Sequence, residues 1–352
     1  MFIIAGTLIW LAVVKEYEPT LLLPIGFGAI LANIPLSNAI GSDGVLTILY
    51  DAGIKTELFP VLIFVAVGAM IDFSPLLKNP LMMFFGAAAQ FGIFATMMVA
   101  LLLGFDLGEA ASIGIIGAAD GPTSIIVAQQ LAGKLVGPIT VAAYSYMSLV
   151  PIIQPPVIKA FTTKKERLIR MEYTETNVPK WVKIVFPIVV TVLAGLIAPS
   201  SVSLVGLLMF GNLIRECGVL ERLSKSAQNE LANLVTILLG ITIGSTMVAK
   251  DFLQWETLLI IGLGLVAFIF DTIGGVLFAK FLNLFLKTKI NPMIGAAGIS
   301  AFPMSARVIQ QIATKEDPSN FIIAQSISAN VSGQLGSIVA GGMILALVPG
   351  LM

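Results

Sequence analysis

The chain has no histidine and a single cysteine, Cys217. The first absence removes Ser-His-Asp triads, HExxH zinc sites and histidine proton relays together. The second excludes an internal disulfide and any cysteine-built metal cluster. Charge is scarce too: 11% of the 352 residues are charged, and 20 basic side chains balance 20 acidic ones. A net charge of zero offers no basic surface, so nucleic acid is not an expected partner. There is no GxxxxGKS/T loop, dinucleotide fingerprint, metal-finger spacing or biotin-attachment sequence, so neither a Walker loop nor a covalent cofactor drives this chain. Its energy source must be a gradient or a partner.

What the chain does have is apolar surface: 57% hydrophobic residues and a mean hydropathy of +0.98. No soluble domain of this length needs so much, whereas a bundle of membrane-spanning helices does. The expected fold is all-α, a multi-pass protein of the cell's inner membrane surrounded by lipid. Apolar segments fall near 2–14, 20–34, 58–72, 81–104, 110–132, 136–158, 184–198, 202–217, 230–249, 257–283, 292–312 and 321–349. Several are short or interrupted by Gly and Pro, so about ten complete spans are expected. The run Phe2 to Val14 stops at Lys15-Glu16 without a basic start or a small-residue cleavage site. It reads as a first membrane segment, short enough for part of it to be missing, rather than a removable signal. Leu36 to Thr56 reads as an interfacial or re-entrant element.

The longest polar interruption, 159–183, carries Lys159, Lys164, Lys165, Arg167, Arg170, Lys180 and Lys183 against Glu166, Glu172 and Glu175. The positive-inside rule makes it a cytoplasmic loop that sets topology and acts as a hinge. It divides the chain into halves, 1–158 and 184–352. Ile116-Gly117-Ala118-Ala119 recurs as Ile294-Gly295-Ala296-Ala297, and Gln129-Gln130-Leu131-Ala132 recurs as Gln310-Gln311-Ile312-Ala313, at offsets of 178 and 181. Matches in the same order at similar spacing predict two inverted repeats, each with a broken helix (near 117–124 and 291–304), in a core domain set against a scaffold. Such pairs point to a transport site at the midplane.

Asp120 is the most informative residue, a carboxylate followed by Gly121-Pro122 inside an apolar stretch. An intramembrane carboxylate is costly unless it meets a cation, a proton or a polar partner. Gly-Pro breaks a helix and frees carbonyls that can coordinate an ion. The second copy, Asn291 to Arg307, has Gly298 where the first has Asp120, with Asn291 and Ser300 nearby. One carboxylate with neutral oxygens suits a hard monovalent cation such as sodium. Coordination is the stronger reading for Asp120, while Asn291 and Ser300 read equally as ligands or as packing. Arg307 is either a carboxylate-binding fork or an interfacial arginine. Tyr144-Ser145-Tyr146-Met147-Ser148 and Asn330-Val331-Ser332-Gly333-Gln334-Leu335-Gly336-Ser337 are further polar clusters in apolar spans. Asp72 and Asp271, the remaining carboxylates near spans, read as helix-end caps or proton relays.

These blocks, with Glu16 to Gly28, Ala119-Asp120-Gly121-Pro122-Thr123 and Val150 to Pro156, resemble the beta subunit of sodium-pumping, biotin-dependent decarboxylases. That family acts on oxaloacetate, methylmalonyl-CoA, glutaconyl-CoA or malonate. The resemblance spans the whole chain and implies a lyase-type primary sodium pump that decarboxylates carboxybiotin and exports sodium ions with proton uptake. It implies one sodium centre of Asp120, Asn291 and Gly295 and another of Tyr146 and Ser300. Asn330 would be a further ligand, and Arg307 would hold the carboxylate of carboxybiotin. The implied partners are an alpha subunit with carboxyltransferase and biotin carrier, a small gamma subunit, and two further copies in a beta homotrimer. Two other classes compete. A gradient-driven sodium transporter shares the repeats but not the Tyr146 and Arg307 blocks, and a purely structural scaffold gives no reason for the Asp120, Asn291 and Ser300 cluster.

Overall fold

The computed structural model describes residues 1–16, 19–171 and 177–352, and these form helices and turns without a strand. Tyr17 and Glu18 of the first motif, and Glu172 and Glu175 of the linker, lie outside the described residues; so does the side chain of Ser148. The principal helices are α1 (Phe2–Val14), α2 (Pro19–Ala32), α3 (Leu58–Met70), α4 (Met83–Ala89), α5 (Phe91–Leu102), α6 (Leu107–Gly114) and α7 (Gly121–Leu131). They continue with α8 (Val136–Phe161), α9 (Lys180–Ile197), α10 (Val202–Glu216), α11 (Ala232–Ser245), α12 (Trp255–Phe285), α13 (Met304–Glu316) and α14 (Ile323–Leu347).

Among the described residues, four helical stretches are long and apolar enough to cross a membrane: Pro80–Leu102, Lys180–Ile197, Trp255–Phe285 and Ile323–Gly350. Two bent pairs bring the number to six if each is one span. That is fewer than the expected ten, because the apolar runs are broken into pieces. α1 has 13 residues and α2 has 14; at about 1.5 Å per residue each covers roughly 20 Å of a hydrocarbon core about 30 Å thick. α8 bends by 67° after Met147, where Pro151 has no N–H to give the carbonyl one turn back.

The outer surface is apolar. α9 exposes Ile188, Val192 and Leu196, as a lipid-facing helix should. The interior holds the polar groups, among them Asp120, Gln154, Asp271, Asn291, Asn330 and Ser337. Helices cross closely where glycine removes the side chain: Gly28 of α2 lies on Ile241 of α11, and Gly68 of α3 lies on Leu208 of α10.

Candidate ion site at two unwound segments

Two interruptions of helix meet inside the protein. In the first, a tight 3-10 turn, Ile115–Ala118, follows α6. Ala119 then takes a left-handed conformation (φ 53°) and Asp120 is extended, so the chain turns before α7 begins. Gly121-Pro122 occupies the first turn of α7, where a missing N–H costs nothing. Asp120 is the N-cap, its Oδ1 accepting the Thr123 N–H at 3.2 Å. The second interruption is the 3-10 turn Pro292–Gly298, followed by extended Ile299. The two are stitched by the Ser300 N–H, which donates to the Ala118 carbonyl at 2.9 Å.

The Asp120 carboxyl is 3% exposed. Its Oδ2 accepts from Ser337 Oγ at 2.7 Å, Ser300 Oγ at 3.3 Å and Gln334 Nε2 at 3.4 Å. Gln334 and Ser337 come from α14, three residues apart and therefore on one face. Asn330 extends that stripe, donating to the carbonyls of Ala297 (3.2 Å) and Ile299 (2.7 Å) in the second unwound segment. Its Oδ1 is buried without a partner. A cavity of about 380 Å³ opens on Asp120, lined also by Tyr144, Met147, Ser300, Phe302 and Gln334. The Tyr144 ring lies against Gly121, where a Cβ would overlap it. The Tyr144 hydroxyl is buried and unpartnered. One carboxylate, hydroxyls and a side-chain amide therefore meet at the cavity, and their oxygens are of the kind hard cations take.

The other candidates lie elsewhere. Asn291, fully buried, donates to the carbonyls of Arg167 (3.0 Å) and Ile169 (2.9 Å) and caps Met293 N–H at 3.1 Å. Its amide is spent on the linker, and no hydrogen bond joins it to Asp120 among the described residues. Gly295 packs on Gly275 of α12. The Tyr146 hydroxyl donates to the carbonyl of Ile261 on α12, not to Ser300. Arg307 is exposed near the start of α13.

The linker is tied to the helices rather than hanging free. Arg167 pairs with Glu316 at 2.8 Å and Arg170 with Asp317 at 2.7 Å. Glu166 caps the turn at Thr163 and meets Lys280 at 3.1 Å. Partial burial pushes its carboxyl up, but the Thr163 N–H and the Lys280 ammonium outweigh that and hold it below the usual range. Asp72 is a local cap, accepting the Ser74 N–H at 2.8 Å.

Sequence reasoning singled out the Asn330–Ser337 cluster without giving Gln334 or Ser337 a role. The spacing of Asn330, Gln334 and Ser337 (i, i+4, i+7) is the sign that could have found them, since it places all three on one helix face. Tyr144 stands out in the sequence only as part of a polar cluster.

Compared with known proteins, residues 1–348 match the family described as Na+-transporting oxaloacetate decarboxylase beta subunit. The chain is 52% identical over 350 residues to glutaconyl-CoA decarboxylase subunit beta of Acidaminococcus fermentans, covering 99% of this chain and 93% of that protein. It is 53% identical over 348 residues to methylmalonyl-CoA decarboxylase subunit beta of Veillonella parvula, with 99% and 92% covered. With the oxaloacetate decarboxylase beta chain of Klebsiella pneumoniae it shares 44% over 409 residues, with 99% and 94% covered.

Proposed function

This chain belongs to the family of Na+-transporting oxaloacetate decarboxylase beta subunits, and we propose that it decarboxylates carboxybiotin and couples that reaction to sodium export with proton uptake. The observation that carries this reading is the convergence of Ser300, Gln334 and Ser337 on the buried Asp120 carboxyl, where two unwound segments meet. Sodium is the cargo of this site, held by Asp120 with the hydroxyls of Ser300 and Ser337 and the amide oxygen that Gln334 presents on rotation. The Tyr144 hydroxyl completes the set from the cavity wall.

The chemistry needs a proton. When the carboxyl carbon leaves carboxybiotin as carbon dioxide, the ring nitrogen keeps the bonding electron pair and takes up one proton. A sodium ion arriving beside Asp120 favours the ionised carboxylate and so displaces a proton from the site. Exposed Arg307 offers a planar, always-charged fork to the incoming carboxylate. Asn291, Gly295, Tyr146 and Asn330 enter as ligands in another state of the cycle, once the unwound segments shift. In that cycle the two inverted halves, 1–158 and 184–352, supply helices to a moving core and a scaffold, with 159–183 as the hinge. The relatives' names carry different acids on closely similar beta subunits. That supports leaving the choice of acid to an alpha subunit bearing carboxyltransferase and biotin carrier, with a gamma subunit and a beta trimer completing the assembly.

The test is to add carrier-bound carboxybiotin to the purified complex in liposomes and follow its decay beside uptake of radioactive sodium. Sodium-stimulated decay with parallel uptake establishes the pump. Uptake driven only by an imposed gradient, with no decay, makes the chain a secondary transporter.

Tyr144→Phe separates ligand from packing at the cavity wall. Losing one neutral oxygen partner costs about 1.4 kcal/mol, so half-saturation by sodium should rise about tenfold. If the hydroxyl only packs, deleting an unpartnered buried group leaves the sodium dependence of turnover unchanged.

A further inference from the structure

α12 carries a second buried carboxyl, Asp271, that the reading above does not use. It sits in the middle of Trp255–Phe285 and is 0% exposed, yet its side chain caps the start of another helix, α5. Its Oδ1 accepts the N–H of Ile93 at 3.2 Å, just past Gln90, where α4 gives way to α5. Its Oδ2 is buried and has no hydrogen-bond partner. That oxygen faces Gly117, where a Cβ would stand 2.9 Å from it.

A carboxylate with one bare oxygen is expensive inside a membrane unless a cation or a proton covers it. The surroundings distinguish the two. Around Asp120 the neighbours are hydroxyls and an amide, which can share a metal ion. Asp271 Oδ2 has no hydrogen-bonding partner and faces the Gly117 position, whereas a hard cation needs several oxygens at once. A proton needs only the one. The titratable groups on the elements packed against α12 are Tyr144, Tyr146 and Lys159 of α8 and Glu109 of α6, and none is hydrogen-bonded to Asp271 among the described residues.

We propose that Asp271 is a proton-carrying carboxyl that is protonated on Oδ2 while Gly117 covers it. When the turn bearing Gly117 withdraws, the Oδ2–H bond breaks and the proton passes to water, leaving a carboxylate held at Oδ1 by the Ile93 N–H. The bond re-forms when the turn closes. This proton exchange rests on the pump reading only for its timing, because the same 3-10 turn, Ile115–Ala118, delivers Asp120.

Infrared difference spectroscopy on the purified complex tests it without turnover. Wild type should show a buried, protonated carboxyl band that responds to pH and to added sodium. The band should survive in Asp120→Asn and be missing in Asp271→Asn, whose amide oxygen still accepts from Ile93. A band unchanged in Asp271→Asn, or none in wild type at any pH at which the complex stays folded, overturns the proposal; a band that titrates but ignores sodium overturns the link to the cycle. In turnover, Asp271→Asn should bind sodium as wild type does yet run at least about a hundredfold slower with its pH dependence flattened; wild-type rate and pH profile would show a merely structural group. If wild type itself shows no sodium-coupled decarboxylation the pump reading falls, and the infrared titration still decides the fate of the proton.

Discussion

Asp120→Asn should abolish sodium-dependent turnover and leave the complex folded. The fold survives because asparagine caps a helix about as well as aspartate does. Its Oδ1 can still take the Thr123 N–H, and the Ser300 and Ser337 hydroxyls, which donate to Oδ2 in the wild type, can turn to accept from the amide N–H groups that replace it. What disappears is the charge. A unit charge about 4 Å from a cation contributes about 4 kcal/mol at an effective dielectric near 20. At about 1.4 kcal/mol per factor of ten, sodium binding should weaken about a thousandfold. Binding of radioactive sodium and turnover should fall together, while elution profile and melting temperature stay near wild type. Wild-type pumping by this variant would remove Asp120 from the ion path. A variant that no longer assembles would instead give the carboxylate a folding role that its cap geometry does not suggest.

The sequence pointed to the membrane and to the break at Asp120, and it set Ser300 among the candidates that the structure brings to Asp120, for a physical reason. A carboxylate between Ala119 and Gly121-Pro122 contradicts every local preference of an apolar span, and such contradictions mark function. Ser300 lies 180 residues away, and only the echo between the two segments connects it. The two tyrosines show where sequence stops. Tyr144 and Tyr146 are two residues apart on one helix, so their side chains diverge by about 200°. One faces the cavity and the other reaches Ile261 of α12, and no pattern of neighbours says which way α8 is rotated. Asn291 illustrates a second limit. As an amide beside a proline at a helix break it suits an ion or a backbone equally well. In this structure the linker carbonyls of Arg167 and Ile169 return to within 3.0 Å of its nitrogen, a contact that no local pattern in the sequence foretells. Span counting meets a related limit: hydropathy registers each apolar piece, whereas among the described residues four to six helical stretches are long and apolar enough to cross, and α1 and α2 are shorter than these.

Gly295→Val should be the most destabilising single change near the site. Gly295 and Gly275 press their backbones together, and a Cβ on either would overlap the other's carbonyl oxygen. Small residues permit such crossings, and forcing atoms into a filled interior costs about 1–3 kcal/mol. Valine, meeting backbone that cannot rotate away, should exceed the top of that range, and Gly295→Ala should fall between it and wild type. Melting of the purified complex measures this, and repeating the melts with sodium assigns the role of the glycine. An ion that binds only the folded state raises the melting temperature. If Gly295 acts through packing alone, Gly295→Ala melts lower but keeps the full sodium increment. If its carbonyl helps to hold sodium in this state, the displaced backbone loses that increment along with the stability. Asp120→Asn should show the opposite pattern, with an unchanged melting temperature without sodium and no increment with it. The two variants thus separate the contact that brings the unwound segment against α12 from the charge that the segments enclose.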